Sequence, residues 1–198
     1  MSHPVESTAE ALIAQLRQQS GEIPMPDNGE VFVPGLWGGF DTREGELSGR
    51  LRAGEGALLR LSFSMQRPPR WCALALALGD AGLAEGSVIG LVADLRADRP
   101  AHLDLVLRAL EEGRNRDIRF DDGFELSPEG GAQAALLAVP PGSILTRPGQ
   151  RLTLLLELPK TDIDIEIRDM RLFVLTATEA GAAPAGLGTA GAVEVVPG

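Results

Sequence analysis

From residue 47 to residue 175 the apolar side chains fall on every second position in one run after another, and this period restricts the fold more than anything else in the chain. Leu59, Leu61, Phe63 and Met65 alternate with Arg60, Ser62 and Ser64. Leu103, Leu105, Leu107 and Ala109 alternate with Asp104, Val106 and Arg108, and Leu152, Leu154, Leu156 and Leu158 with Thr153, Leu155 and Glu157. Successive strand side chains point to opposite faces, so each run is a strand with one dry face and one wet face. The last run, Ile163, Ile165 and Ile167, slips by one residue to Met170, Leu172 and Val174, which places a β-bulge at Arg168-Asp169. Turn-forming clusters at 54–56, 67–70, 79–86, 98–100, 127–131 and 140–142 separate the runs at intervals of about eight to twelve residues. No strand-helix-strand unit intervenes. The expected fold is all-β, an antiparallel sandwich or barrel of about nine strands.

Around that body the chain divides into four parts. Residues 1–22 hold a short amphipathic helix: Ser7 to Glu10 has capping-box spacing, Ala9, Leu12, Ile13 and Leu16 share one face, and Gly21 stops it. Residues 23–46 are rich in Pro and Gly and read as an extended segment over a core edge, with Val31-Phe32-Val33 as its one strand-like piece. Residues 47–175 are the β-sandwich, in which 71–78 is so apolar that it reads as a strand covered on both faces. Residues 118–126 read as a single strand with Asp122 as its polar intruder. Residues 176–198 are low in complexity and read as a flexible tail.

With 198 residues the chain can bury one self-sufficient core. Its formal charge of -10 repels phosphate backbones and anionic lipid, so nucleic acid and membrane are excluded as expected partners. The one cysteine, Cys72, lies in an apolar run and reads as a small buried hydrophobe. Neither a secretory leader nor an apolar span of membrane length is read here, which makes the cytoplasm the expected location.

The chemistry-bearing residues form no catalytic signature. There is no Gly-x-Ser-x-Gly elbow, no phosphate-cradling loop with Lys and no His-Glu-x-x-His, and His3 and His102 lack partners at metal-ligand spacing. Asp117, Asp121 and Asp122 are the densest acidic cluster; two carboxylates on a strand could act as a glycosidase acid and base, and as a solvated loop they would do nothing. Arginine carries nearly all the positive charge, and Arg60, Arg108 and Arg119 stand opposite apolar faces, where a planar guanidinium suits carboxylates or sugar hydroxyls. Trp37, flanked by glycines in Gly-Leu-Trp-Gly-Gly-Phe, either stacks on a ligand or plugs the end of the sandwich.

The run Ile165-Glu166-Ile167-Arg168-Asp169-Met170-Arg171-Leu172 resembles the closing strand of jelly-roll carbohydrate-binding modules and galactose-binding-like domains. The preceding strand, opened by Pro148-Gly149-Gln150 and closed by Pro159, is similar to their penultimate one. The resemblance implies a jelly-roll β-sandwich and a non-catalytic role in binding glycan. It also implies a structural calcium ion near the closing strand, with Asp169 and Asp121 as candidate ligands; Arg168 stands where the family carries an acid, and without that ion no cofactor is expected. The family's aromatic platforms are thinly represented, with 2 Trp, 6 Phe and no Tyr. The expected glycan contacts are Trp37, Arg60, Arg108 and Asp122. From another class comes a scaffold reading, in which the N-terminal helix and one sheet face form a homo-oligomeric or protein partner interface, the oligomeric state being open.

Overall fold

The computed structural model describes residues 2–80, 82–111 and 113–177. A helix, α1 (Pro4–Leu16), is followed by β1 (Gly21–Pro24), β2 (Asn28–Val31), β3 (Val33–Phe40), β4 (Glu46–Gly54), β5 (Ala57–Arg67) and β6 (Cys72–Asp80). Then come β7 (Val88–Ala97), β8 (Ala101–Glu111), β9 (Arg114–Arg119), β10 (Phe124–Leu126) and β11 (Gly131–Ala138). A short 3-10 turn at Ile144–Thr146 leads to β12 (Arg151–Glu157) and β13 (Ile163–Leu175). The strands form two antiparallel sheets. The first runs in the order β1-β4-β5-β13-β7-β11 and the second β10-β8-β12-β6-β3-β2, with β9 also paired to β8. The antiparallel sandwich expected from the period-two runs, and the jelly roll implied by the closing-strand resemblance, is therefore the fold, with thirteen described strands instead of about nine.

The four additional strands have local causes. The segment 23–46 contributes three, and Val31-Phe32-Val33, expected to be its strand-like piece, is instead a hairpin turn: Val31 pairs with Val33 while Phe32 takes φ of 59°. That conformation is uncommon for a residue with a Cβ, and here it reverses the chain within three residues. The fourth arises because the run 118–126 is broken. Both halves pair with β8, but after Phe120, whose N–H still donates to the Leu105 carbonyl, Asp121 to Gly123 leaves the ladder between them. Gly123 passes so close to the Leu103 carbonyl and the His102 ring that a Cβ would stand 2.5 Å from each. Asp122, expected within a strand, therefore sits in the connecting loop with Asp121.

The inner faces meet in a core of leucine and isoleucine. Ile163, Ile165 and Ile167 of β13 lie on the same face as Leu59, Leu61 and Phe63 of β5 and Leu91 and Leu95 of β7, all buried. The opposing sheet supplies Leu74, Leu76, Leu105, Leu107, Leu154 and Leu156. Cys72 is buried among them, and burial pushes its thiol up to about 12, in keeping with a hydrophobe and not a reactive thiolate.

The register of β13 against β7 slips between Ile167 and Asp169, so Arg168 is the extra residue expected from the phase change. Pairing of β13 with β5 ends at Ile167, and beyond it α1 packs on β13, β6 and β3. The helix buries Val5, Ala9, Leu12, Ile13 and Leu16, which spends its apolar stripe on its own domain and leaves none for a partner interface. It also begins earlier than the Ser7 capping box implied: Pro4 supplies the pre-set φ of the first turn, and His3 Nδ1 accepts from the Val5 N–H at 3.3 Å. At the far edge Gln133 closes the sandwich by imitating a strand: its Oε1 accepts from the Glu125 N–H and its Nε2 donates to the Glu125 carbonyl. From residue 178 on, the expected tail lies outside the described residues.

Because α1 fills the gap that β5 leaves, a cavity under it should be costly. Leu12→Ala is expected to lower unfolding free energy in urea by about 2–5 kcal/mol; an unchanged midpoint would show that the helix is not part of the cooperative core.

Candidate functional site

The outer face of the second sheet is built from cross-strand rows that the register fixes. One row carries Asn28, Gly39, Ala73, Glu157 and Asp104 across β2, β3, β6, β12 and β8. The next carries Glu30, Trp37, Ala75, Leu155, Val106 and, on β9, Arg119. A third continues through Ala77, Thr153, Arg108 and Asp117. The middle of this face is low because its side chains are small. Gly39 is held to no side chain at all, since a Cβ there would stand 2.8 Å from the carbonyl of Asp27, the residue that leads into β2. The result is a groove of about 400 Å³ with Gly38, Gly39, Ala73, Ala75 and Leu155 along its floor.

Its lining mixes two chemistries. Trp37 of β3 and Trp71 at the start of β6, the only tryptophans of the chain, both line it, and Trp71 is 45% exposed despite its size. Arg108 of β8 and Glu157 of β12 line it as well. Arg108 grips Asp117 with two hydrogen bonds, Nε to Oδ1 at 2.7 Å and Nη2 to Oδ2 at 2.8 Å, and Arg119 Nη1 donates to Glu157 Oε2 at 3.0 Å. The hydrogen bonds from Arg108 hold the Asp117 carboxyl below the ordinary carboxylate range. The polar wall is thus pre-formed, with guanidinium planes fixed by their own carboxylates. Asn28 and Trp71 also line a second hollow of about 690 Å³, formed with Asp27, Asp41, Thr42 and Arg70, so the groove runs on past the end of the sheet. Flat aromatic faces beside fixed donors and acceptors, over an apolar floor, suit a ligand that is apolar on its faces and polar around its edge.

Of the residues expected to contact glycan, the structure brings Trp37 and Arg108 together in this groove and leaves two elsewhere. Arg60 lies on the outer face of the other sheet, in the row Glu22-Arg52-Arg60-Glu166-Arg96. There it donates to Glu166 at 2.9 Å and to the carbonyls of Gly54 and Glu55, beside a charged hollow of about 480 Å³. Asp122 is in the exposed loop between β9 and β10. The two candidate calcium ligands stand on different sheets: Asp121 shares that loop, and Asp169 is on β13. Burial pushes the Asp169 carboxyl up, but the hydrogen bonds from Arg17 and the Met170 N–H outweigh it and hold it below its ordinary value. Among the described residues no three His, Cys, Asp or Glu side chains are grouped to hold a metal ion.

Trp71 and Glu157 were not expected at the site. The run 71–78 reads as uniformly apolar, yet Cys72, Leu74, Leu76 and Leu78 point inward while Trp71, Ala73, Ala75 and Ala77 point out. The alternation is one of size instead of polarity: leucine faces the core, Ala73 and Ala75 face the groove, and Ala77 lines a separate hollow with Leu12 of α1.

No protein-family model and no curated protein sequence matches the chain. Solved structures do. One described as CBM4 is 12% identical with a TM-score of 0.54, over 81% of this chain and 97% of that one. The CBM22-1 xylan-binding domain of Xyn10C from Paenibacillus barcinonensis is 10% identical with a TM-score of 0.46, over 80% and 97%. The N-terminal cellulose-binding domain of Cellulomonas fimi β-1,4-glucanase C is 12% identical with a TM-score of 0.46, over 78% and 97%. At this identity the first likeness shows a shared fold, the one that the closing strand resembled. No helix among the described residues is long and apolar enough to cross a membrane.

The Arg108-Asp117 pair gives a pH signature. A carboxyl whose folded value is depressed stabilises the fold above its unfolded value, 3.8 here, and that contribution is lost as pH falls through the folded value. Melting temperature should therefore fall below pH about 4, and Asp117→Asn should flatten that part of the profile. Parallel profiles for the two proteins would mean that the pair is not formed in solution.

Proposed function

We propose that this chain is a non-catalytic carbohydrate-binding module whose ligand lies in the Trp37-Trp71 groove. The single observation that carries the reading is the convergence of both tryptophans with a pre-formed arginine-carboxylate wall over an alanine and glycine floor. A pyranose ring presents C–H groups on its faces and hydroxyls around its rim. The faces stack on indole, and the rim hydroxyls find donors on Arg108 and acceptors on Glu157. The shared fold with the CBM4 structure supports the same reading. Arg60 and Asp122 take no part in it, because neither lines this groove.

A polysaccharide-binding assay against arrayed glycans is the test. The parent protein is expected to bind at least one neutral β-linked chain. Trp37→Ala and Trp71→Ala should each weaken that binding about tenfold or more, as befits truncated aromatic anchors worth about 2 kcal/mol, whereas Arg60→Ala should leave it unchanged. A parent protein that binds no glycan at high concentration would end the proposal.

A second reading rests on one further observation. On the outer face of the first sheet, Leu136 is 43% and Val92 36% exposed, with Phe173 beside them, a contiguous apolar area of a kind that often marks protein contacts. Should this area pair two copies of the chain, sedimentation will give a dimer mass that Leu136→Glu abolishes; a monomer at all concentrations removes that reading.

A further inference from the structure

We infer, resting on the glycan reading above, that the groove selects its ligand by charge, taking a glycan that carries ammonium groups ahead of a neutral chain of the same linkage and refusing a polyuronate. Of the arginines on this face, the two on β8 and β9 are already charge-paired: Arg108 is gripped by Asp117 and Arg119 is bonded to Glu157. Their charges are thus already offset, and an anionic ligand would meet their remaining N–H groups only as part of a neutral pair. The acids are in excess. Besides Asp117 and Glu157, the same face carries Glu30, which stands directly opposite Trp37, and Asp104, which stands directly opposite Glu157.

Glu30 is exposed and forms no ion pair among the described residues. Asp104 has the His102 ring beside it, with Nε2 3.5 Å from Oδ1, and Arg119 within electrostatic reach. Two carboxylates directly opposite each other on neighbouring strands repel, and a cation arriving between them relieves the repulsion. Arg119 offsets only part of it. An ammonium on a sugar held against the indoles would meet these acids at the rim and the ring faces below, both of which attract positive charge. Over longer range the net charge of -10 steers cations toward the chain and anions away.

The experiment compares three oligomers of equal length by titration calorimetry with the full chain: β-1,4-linked glucose, its glucosamine counterpart with the amines protonated, and its glucuronate counterpart. At low salt the glucosamine oligomer should bind about two- to fivefold tighter than the glucose oligomer for each ammonium engaged, and the glucuronate oligomer should not bind. Raising the salt should shrink the cationic advantage. The double variant Glu30→Gln with Asp104→Asn should lower the ratio of glucosamine to glucose affinity, and Trp37→Ala should weaken both oligomers.

Equal affinity for the first two oligomers, or binding of the glucuronate, overturns the charge selection while leaving the glycan reading intact. Glucosamine binding that Trp37→Ala does not touch would be diffuse attraction to an acidic surface and would overturn it as well. Binding of none of the three removes both.

Discussion

The hydrophobic contact between the two inner faces is made almost wholly of branched aliphatic side chains, and the geometry of everything outside follows from it. Leucine and isoleucine fill inward positions in every long strand, and the aromatic content of the chain is only 4%. Such a core fixes register tightly, because a slip of one residue would turn a whole row of leucines toward water. The rows on the outer faces are therefore placed as firmly as the core itself. Trp37 comes level with Ala75 and Leu155, and Arg108 with Asp117, through inward-facing leucines that never touch a ligand.

The sandwich was legible because its strands are amphipathic and its turns are punctuated, and a phase change alone places the bulge at Arg168-Asp169, where the register slips. What escaped had physical reasons. A periodicity reading cannot see Phe32 at positive φ, since the residue is apolar and stands between two valines. Nor can it see that the chain leaves the ladder at 121–123, because the apolar Phe120 and Phe124 on either side keep the alternation formally intact. The start of the helix was misplaced because Pro4 and His3 together make an N-terminus without the usual hydroxyl or carboxylate cap. At the candidate site Trp37 and Arg108 were legible as residue types, but their meeting depends on which strands become neighbours, which no local pattern encodes. Arg60 bears the same local pattern as Arg108 and ended on the other sheet.

The two outer faces show how one fold can carry different surfaces. On the first sheet arginines and carboxylates are interleaved across five strands, Glu22, Arg52, Arg60, Glu166 and Arg96, and one end of the face is apolar. On the second sheet small side chains occupy the centre of the face, leaving a depression lined by both tryptophans and by Arg108 and Glu157. Both are compatible with the same interior, since alternate positions of each strand are independent of the core.

The alanines at 73 and 75 of β6 carry a consequence of their own. Each is flanked by buried residues, Cys72, Leu74 or Leu76, that fix the strand in place, so the depth of the depression is written in side chains that contribute little to holding the sheets together. Relief on this surface can drift through serine, valine or threonine while the scaffold stays constant. In such a lineage the shape of what is recognised can change faster than the architecture that recognises it.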